Sequence, residues 1–299
     1  MRYSLLSRFR GSLLGTALGE VYQSPFQLST TPICSKKSDF WLQVAIRGSQ
    51  SLIDCGRLDL EDWKHRGNKL QQSEPTSKIG FASLSNAAIA TLPVALFFHE
   101  DQLTLKAQLQ QAAKLWLPAG QTPTGVLAMG YAIAQALTER LNPDTLIPQT
   151  LVYLEEYCQD AKPSLRAFIQ QLEQVQNLLE QKAGLEKTVT QICRHPFTDT
   201  IPIALAFYCF LSTTEDFHLA LARAVRTGYQ PQTTAALTGA LSGAYNSLAG
   251  IPIVRRLTAT EMVSLADRLL AVWSGVHITA TDDRVQWSAV AAPRVMQQR

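Results

Sequence analysis

The sequence predicts an all-α protein with a single domain, and three observations support this. Apolar residues recur at intervals of three and four along most of the 299 residues, which is the spacing of one helix face. Proline and glycine stand between these segments, where helices end. No repeat or linker divides the chain, and its 46% hydrophobic content suffices for one large core. We therefore expect one helical domain over residues 1–275, with residues 276–299 as an extension packed on it.

The predicted helices follow one another with short connections. They cover residues 4–19, 39–55, 58–70, 87–98, 103–117, 123–141, 144–159, 164–183, 201–211, 215–227 and 258–273, with a further helix that begins at Pro231. Residues 21–38 lack periodicity and are predicted to form a loop. Ser85 or Asn86 is expected to cap the helix 87–98. Alternating residues on either side of 281–284 predict a small C-terminal β-hairpin.

Two of these helices carry a stripe of residues with almost no side chain. The stripes, at steps of four, are Gly11, Gly15 and Gly19 in the first helix, and Ala235, Gly239, Gly243 and Ser247 in the other. Glycine inside a helix costs roughly 0.5–1 kcal/mol relative to alanine, so its recurrence on one face indicates close packing. We expect these two helices to pack against each other at the centre of the fold.

Composition argues against several classes of protein. A net charge of +3, without a run of five basic residues, predicts no nucleic-acid binding. The most apolar segment, 201–211, is about half the length of a membrane span, so a buried helix and no membrane association are expected. Five cysteines without C-x-x-C spacing favour free thiols and a cytoplasmic location. Three arginines before the apolar run 11–18 imitate a secretory signal, but Gly15 and Thr16 interrupt that run.

The loop and helix over residues 228–252 carry the most specific motif. Gly228 is suited to end one helix with a positive φ, and Pro231 to begin the next. Thr-Thr at 233–234, Gly-Ala-Tyr at 243–245 and Ile-Pro at 251–252 follow. This pattern resembles the C-terminal signature of the ADP-ribosylglycohydrolase family, and the opening residues 8–20 resemble its N-terminal motif. The resemblance covers residues 1 to about 275 and implies an orthogonal helical bundle.

The chain departs from the family pattern at the positions that hold metal. Active members resemble one another in binding two magnesium ions through carboxylates and threonines of both motifs. Here Gln230 and Gln232 stand at two of the aspartate positions, and Tyr229 replaces a glycine. Glu20 stands where aspartate is usual, and Asp39 matches one of the two aspartates of the family's Thr-Asp-Asp-Thr motif. Neutral amides leave the charge of paired Mg²⁺ unbalanced, so we expect no metal and no cofactor.

The resemblance also gives a candidate ligand pocket. Its residues are Phe40, Trp41, Ser85, Asn86, Tyr229, Gln230, Gln232 and Thr233. Phe40 and Trp41 fit either a stacking platform for a ring or ordinary core packing. Ser85 and Asn86 fit either an anion site or an ordinary cap, and Glu20 fits either a site residue or a solvated helix end. We predict that the rings of Phe40, Trp41 and Tyr229 fill the former metal pocket.

Two classes of function remain open. The first is a non-catalytic binding or scaffolding protein that retains the family scaffold, with ADP-ribose or an ADP-ribosylated protein as its ligand. The second is a hydrolase of an ADP-ribosyl or related nucleotide-sugar bond with a degenerate site. In that case Glu20 and Asp39 are the candidate catalytic residues, because two carboxylates at the right spacing suffice for glycoside hydrolysis.

Overall fold

The computed structural model describes residues 3–22, 40–73, 81–156, 163–195, 197–252, 260–279 and 286–289. These residues form fourteen α-helices and a two-stranded hairpin, which confirms the all-α prediction. The helices are α1 Leu5–Val21, α2 Phe40–Cys55, α3 Leu60–Ser73, α4 Leu84–Ala90, α5 Leu92–Phe97, α6 Gln102–Trp116, α7 Thr124–Leu137, α8 Leu146–Glu155, α9 Pro163–Glu180, α10 Leu185–Ile192, α11 Ile201–Leu211, α12 Phe217–Arg226, α13 Pro231–Asn246 and α14 Thr260–Trp273. Short 3-10 turns occur at Thr198–Thr200 and Leu248–Gly250.

The two glycine-striped helices, α1 and α13, pack against each other as the sequence predicts. The facing pairs are Gly11 with Gly243, Gly15 with Gly239, and Gly19 with Ala235, so the helices run antiparallel. A Cβ atom added at Gly15 would lie 2.1 Å from the Gly239 carbonyl oxygen. The two backbones therefore touch, and no side chain fits between them.

The other helices surround this central pair. Helix α14 packs on α1, and helices α7, α11 and α12 pack on α13. The guanidinium of Arg8, on α1, is buried and donates from Nη1 to the carbonyl oxygens of Ala136 and Leu137, each at 3.0 Å. It also forms an ion pair with Glu139. Arg8 thus satisfies the C-terminal carbonyls of α7, which lack partners within that helix.

The structure differs from the predicted helix 87–98 in two ways: the helix begins earlier, and it is divided into two. It begins at Leu84, and Ser83 is the N-cap, accepting a hydrogen bond from the Asn86 amide at 3.2 Å. The expectation that Ser85 or Asn86 caps this helix is therefore wrong. The helix is also interrupted at Thr91, and a second helix begins with Pro93 in its first turn. Proline has no amide hydrogen and clashes with the preceding turn, so it divides the apolar segment.

The C-terminal hairpin is confirmed. Strand β1, Val276–Thr279, pairs antiparallel with β2, Gln286–Ala289, with Val276 opposite Ala289. Strand β1 follows α14 directly and contacts it. The predicted turn at 281–284 lies outside the described residues, and the division at 275 stays a prediction. No helix in the ranges given above is both long and apolar enough to span a bilayer.

Candidate functional site

The antiparallel packing of α1 and α13 brings their family motifs to one end of the bundle. The last turn of α1 lies beside the first turn of α13, because Gly19 faces Ala235. Between these turns is a narrow cleft of about 180 Å³ that does not admit a water-sized sphere. The described residues that line it are Glu20, Leu42, Ile89, Gln232, Thr233 and Ala236. Three of the predicted site residues, Glu20, Gln232 and Thr233, therefore meet there.

Glu20 is the carboxylate of this cleft. Its side chain is only 8% exposed, so it is a buried residue and not the solvated helix end that the sequence left open. The cleft surrounds it with the apolar side chains of Leu42, Ile89 and Ala236. These three residues were not predicted from the sequence. Nothing in their residue types distinguishes them from the many other apolar residues at helical spacing.

The loop before α13 has the conformation that its sequence predicts. Gly228 has a φ of +67° after the end of α12, and Pro231 is the first residue of α13. Gln230 is exposed and adopts a left-handed φ of +39°. The hydroxyl of Thr234 donates to the Tyr229 carbonyl oxygen at 2.8 Å, which ties the loop to the first turn of the helix.

Tyr229 turns away from the cleft. Its half-buried ring packs against the core beside the 3-10 turn Thr198–Thr200. Burial raises the pKa of the Tyr229 hydroxyl, the nearby Cys193 and Asp199 raise it further, and a hydrogen bond with the Thr198 side chain opposes them. The prediction that Tyr229 fills the former metal pocket is therefore corrected, because its ring closes onto this turn instead.

Phe40 and Trp41 also lie outside the cleft. The Trp41 ring is 9% exposed and makes an edge contact with Trp116 at 6.2 Å between ring centroids. Trp116 in turn contacts Trp63 at 5.9 Å, and Phe40 contacts Trp41 at 5.0 Å. These rings form an aromatic cluster between α2, α3 and α6. Of the two interpretations of Phe40 and Trp41, these contacts support core packing, and neither residue is among the described residues that line the cleft.

Ser85 and Asn86 belong to a neighbouring set of contacts around the 3-10 turn. Ser85 is fully buried, and its hydroxyl donates to the Asp199 carbonyl oxygen at 2.5 Å. The backbone N–H of Asn86 donates to the Ser83 hydroxyl, so it is not free to bind an anion. On the other side of the turn, Gln171 accepts from the Thr200 hydroxyl at 2.6 Å. The turn is thus held from α4 and from α9.

Few features of the sequence predict this turn. Its Thr-Asp-Thr segment stands before the apolar helix α11, a position suited to a cap, and this is the one visible signal. Its link to Gln171 joins residues 29 positions apart, and such a contact has no local signature. Asp39, the remaining predicted catalytic residue, lies outside the described residues.

The described residues at the cleft offer few of the anionic donors that a pair of magnesium ions requires. Glu20 is the one carboxylate among the described lining residues, and Gln232 and Thr233 add neutral oxygens. Within those same parts of the chain, no three His, Cys, Asp or Glu side chains are grouped so that they could hold a metal ion. Mg²⁺ requires close to octahedral oxygen coordination, and carboxylates supply the charge that offsets it. One carboxylate leaves most of the charge of two such ions unbalanced.

Fold and site together define an all-α protein whose site lies where two glycine-striped helices meet. The family model described as ADP-ribosylglycohydrolase matches residues 1–278, and the chain belongs to the ADP-ribosylglycohydrolase family. Among solved structures it is similar to an "ADP-ribosylglycohydrolase-related protein complex", with a TM-score of 0.64 and 19% identity. That match covers 90% of this chain and 99% of the other, and at this identity it shows the fold alone. A search of curated proteins found no match.

Proposed function

We propose that this chain is a member of the family without a binuclear magnesium site, and that it acts as a non-catalytic binding or scaffolding protein. The observation that carries the proposal is the composition of the cleft. One carboxylate, Glu20, stands beside the neutral side chains Gln232 and Thr233. Loss of anionic ligands lowers metal affinity directly, because the ligand charge offsets the cost of dehydrating the ion.

The size of the cleft supports the same conclusion. Hydrolysis requires a water molecule at the glycosidic carbon, and the space beside Glu20 does not admit a water-sized sphere. Leu42 and Ile89 contribute apolar walls to it. A carboxylate in such surroundings has little room beside it for a water molecule that it could activate as a general base.

The ligand that we propose is ADP-ribose or an ADP-ribosylated protein, because the family acts on ADP-ribosylated substrates. The loop 228–230 and the 3-10 turn Thr198–Thr200 lie beside the cleft end of the bundle, with the Tyr229 ring between them. The Tyr229 ring packs on this turn but is only half-buried, so its exposed part is suited to contact a base or ribose. We place the protein in the cytoplasm, and the free thiols of Cys55, Cys193 and Cys209 agree with a reducing compartment.

The proposal is tested by separating binding from turnover. Peptides carrying ADP-ribosyl-arginine or ADP-ribosyl-serine are incubated with the protein with and without Mg²⁺, and released ADP-ribose is measured. Calorimetry with ADP-ribose measures binding in parallel, with Tyr229→Ala as the site variant. We expect ADP-ribose binding that Tyr229→Ala weakens, and no release.

Release of ADP-ribose that is abolished by Glu20→Gln or Asp39→Ala would overturn the non-catalytic assignment and establish the hydrolase. If neither release nor binding occurs, ADP-ribose is not the ligand and only the scaffolding part of the proposal survives. An exposed-site variant, Gln149→Ala on α8, serves as the matched control, and it should behave as wild type in both assays.

A further inference from the structure

A second concavity lies at the other end of α11 from the candidate functional site. It has a volume of about 670 Å³ and is formed by the start of α8, the end of α9, the end of α11 and one face of α12. Helix α11 has eleven residues and is roughly 16 Å long; the concavity lies at its C-terminal end, and the Thr198–Thr200 turn lies at its start. The volume falls in the range of small-molecule pockets, which is about 300–1,000 Å³.

The inner wall of this cavity contains a tyrosine and an arginine in fixed contact. Tyr208 is 1% exposed, and its hydroxyl donates to the Ala183 carbonyl oxygen at 2.6 Å. Arg223 donates from Nη2 to the same phenol oxygen at 2.9 Å, and its guanidinium carbon lies 5.4 Å from the Tyr208 ring centroid. The Tyr208 hydroxyl donates its proton to the Ala183 carbonyl oxygen, so the phenol oxygen is the acceptor of the hydrogen bond from Arg223. Arg223 is therefore held in one orientation along the cavity wall.

Within the described parts of the chain, no carboxylate lies within ion-pair distance of the Arg223 guanidinium. Its Nε atom is buried and has no hydrogen-bond partner among the same residues. A guanidinium stays protonated at all accessible pH values, and a half-buried one is stabilised by an anion. Tyr208 supplies a dipole and a ring face but no charge.

Lys182 adds a second cation to the lining of the cavity. It follows α9 with a left-handed φ of +50°, a conformation in which glycine is favoured. Two carboxylates, Asp144 and Glu180, also line the cavity, and like Lys182 they are exposed, so water screens all three of these charges. The half-buried charge of the cavity is therefore that of Arg223, which is a cation.

The remaining lining is mixed: Gln176 and Ser212 are polar, and the apolar side chains include Ile147, Leu179, Leu185 and Leu211. We propose that this cavity binds a small organic oxyanion, a carboxylate or phosphate monoester on an apolar body. Arg223 is the anion-binding group, because its planar fork matches two oxygens of either anion. Tyr208 is the positioning residue that orients it.

The test uses two aromatic probes that differ in their anion, benzoate and phenyl phosphate, with benzyl alcohol as the uncharged control. Binding is followed by chemical shifts of the Gly184 and Ser212 amides in the ¹⁵N-labelled full chain. We expect both amides to shift with at least one anion and not with benzyl alcohol. The tighter of the two anions identifies the ligand as carboxylate or phosphate.

Arg223→Gln should weaken that binding at least about tenfold, and Arg223→Lys should weaken it less, because lysine keeps the charge and loses the fork. Arg226→Gln is the matched control, since Arg226 is exposed on the same helix and does not line the cavity. Melting curves establish that each variant is folded. Equal binding of benzyl alcohol would overturn the proposal, as would equal losses in the Gln variants at 223 and 226. If Arg223→Gln does not fold, unshifted Gly184 and Ser212 amides in the wild type would still refute it.

Discussion

A glutamine side chain offers a metal ion one carbonyl oxygen and no charge. Two glutamines stand at 230 and 232, the positions at which the resemblance described above implies aspartates. Gln230 is exposed in a left-handed conformation that aspartate and asparagine also tolerate, so the backbone itself does not exclude a carboxylate there. Under the proposed function, the change at this loop is therefore one of side-chain charge and not of backbone conformation.

His99 provides a test of burial at a single residue. Its ring lies between Phe9 and Trp273, and Nδ1 donates to the Leu96 carbonyl oxygen at 2.7 Å. Burial lowers its pKa to about 4, so between pH 6.5 and 4 the unfolded chain binds the extra proton. The free energy of unfolding should therefore fall as the pH is lowered through this range, by up to about 3 kcal/mol from this group.

The measurement is urea denaturation of wild type and His99→Phe at several pH values. The variant should lose most of this acid sensitivity, although it forfeits the hydrogen bond to Leu96. His65→Gln, at an exposed histidine, is the control and should follow the wild type. Identical pH profiles of wild type and His99→Phe would refute the burial argument.

Arg8 and Arg10 are two residues apart on α1 and should differ sharply in their contribution to stability. Arg8 is 4% exposed and satisfies two backbone carbonyls and Glu139, so Arg8→Met should cost about 3 kcal/mol. Arg10 forms a partly exposed ion pair with Asp267, and Arg10→Met should cost about 1 kcal/mol or less. Chemical denaturation measures both, and equal losses would contradict this account of the α1–α7 contact.

At the scale of elements, the contact between α1 and α13 depends on the absence of side chains. A methyl group at Gly15 or Gly239 would lie about 2 Å from a backbone oxygen of the other helix. Backbone cannot yield as a flexible side chain does, so the two helices would have to separate. The cleft at their end would then widen, because Glu20 and Gln232 stand on opposite sides of it.

Gly239→Ala should therefore destabilise the protein by at least about 3 kcal/mol, a large loss for a single methyl group. Gly184→Ala is the matched control, because a Cβ at Gly184 meets no atom within 4 Å and its φ is ordinary. Its effect should stay within about 1 kcal/mol. Thermal melting of the two variants measures the difference, and a Gly239→Ala variant as stable as Gly184→Ala would refute the proposed contact.

Elements were predictable where a local pattern determines them. The small-residue stripes of α1 and α13 predict that these two helices pack together, because two backbones can come this close only where both faces lack side chains. The predicted start of α4 is wrong because Ser83, Ser85 and Asn86 are all residues that favour an N-cap position. Tertiary contacts, such as the one between Ser85 and Asp199, determine which of them caps the helix. Pro93 causes the break at Thr91. Proline is also common in the first turn of a helix, so its presence in the sequence does not by itself locate the break.

For the whole molecule, the fold followed from the sequence more fully than the site did. Antiparallel packing of α1 and α13 brings Glu20 to Gln232 and Thr233, as the two motifs suggested. The sequence does not predict where the rings of Tyr229 and Trp41 pack, because each ring contacts partners far away in the chain, the Thr198–Thr200 turn and Trp116. A large ring that replaces a small residue packs wherever space is available, and the sequence does not display that space.

The central claim concerns charge at one end of the bundle, and titration with Mg²⁺ by calorimetry tests it most directly. The account predicts no saturable binding to the wild-type chain at micromolar concentrations. The variant Gln230→Asp with Gln232→Asp should bind Mg²⁺ measurably more tightly, because it adds two carboxylates at the start of α13, one of them in the cleft that contains Glu20. Saturable binding of two ions to the wild-type protein at micromolar affinity would contradict the account.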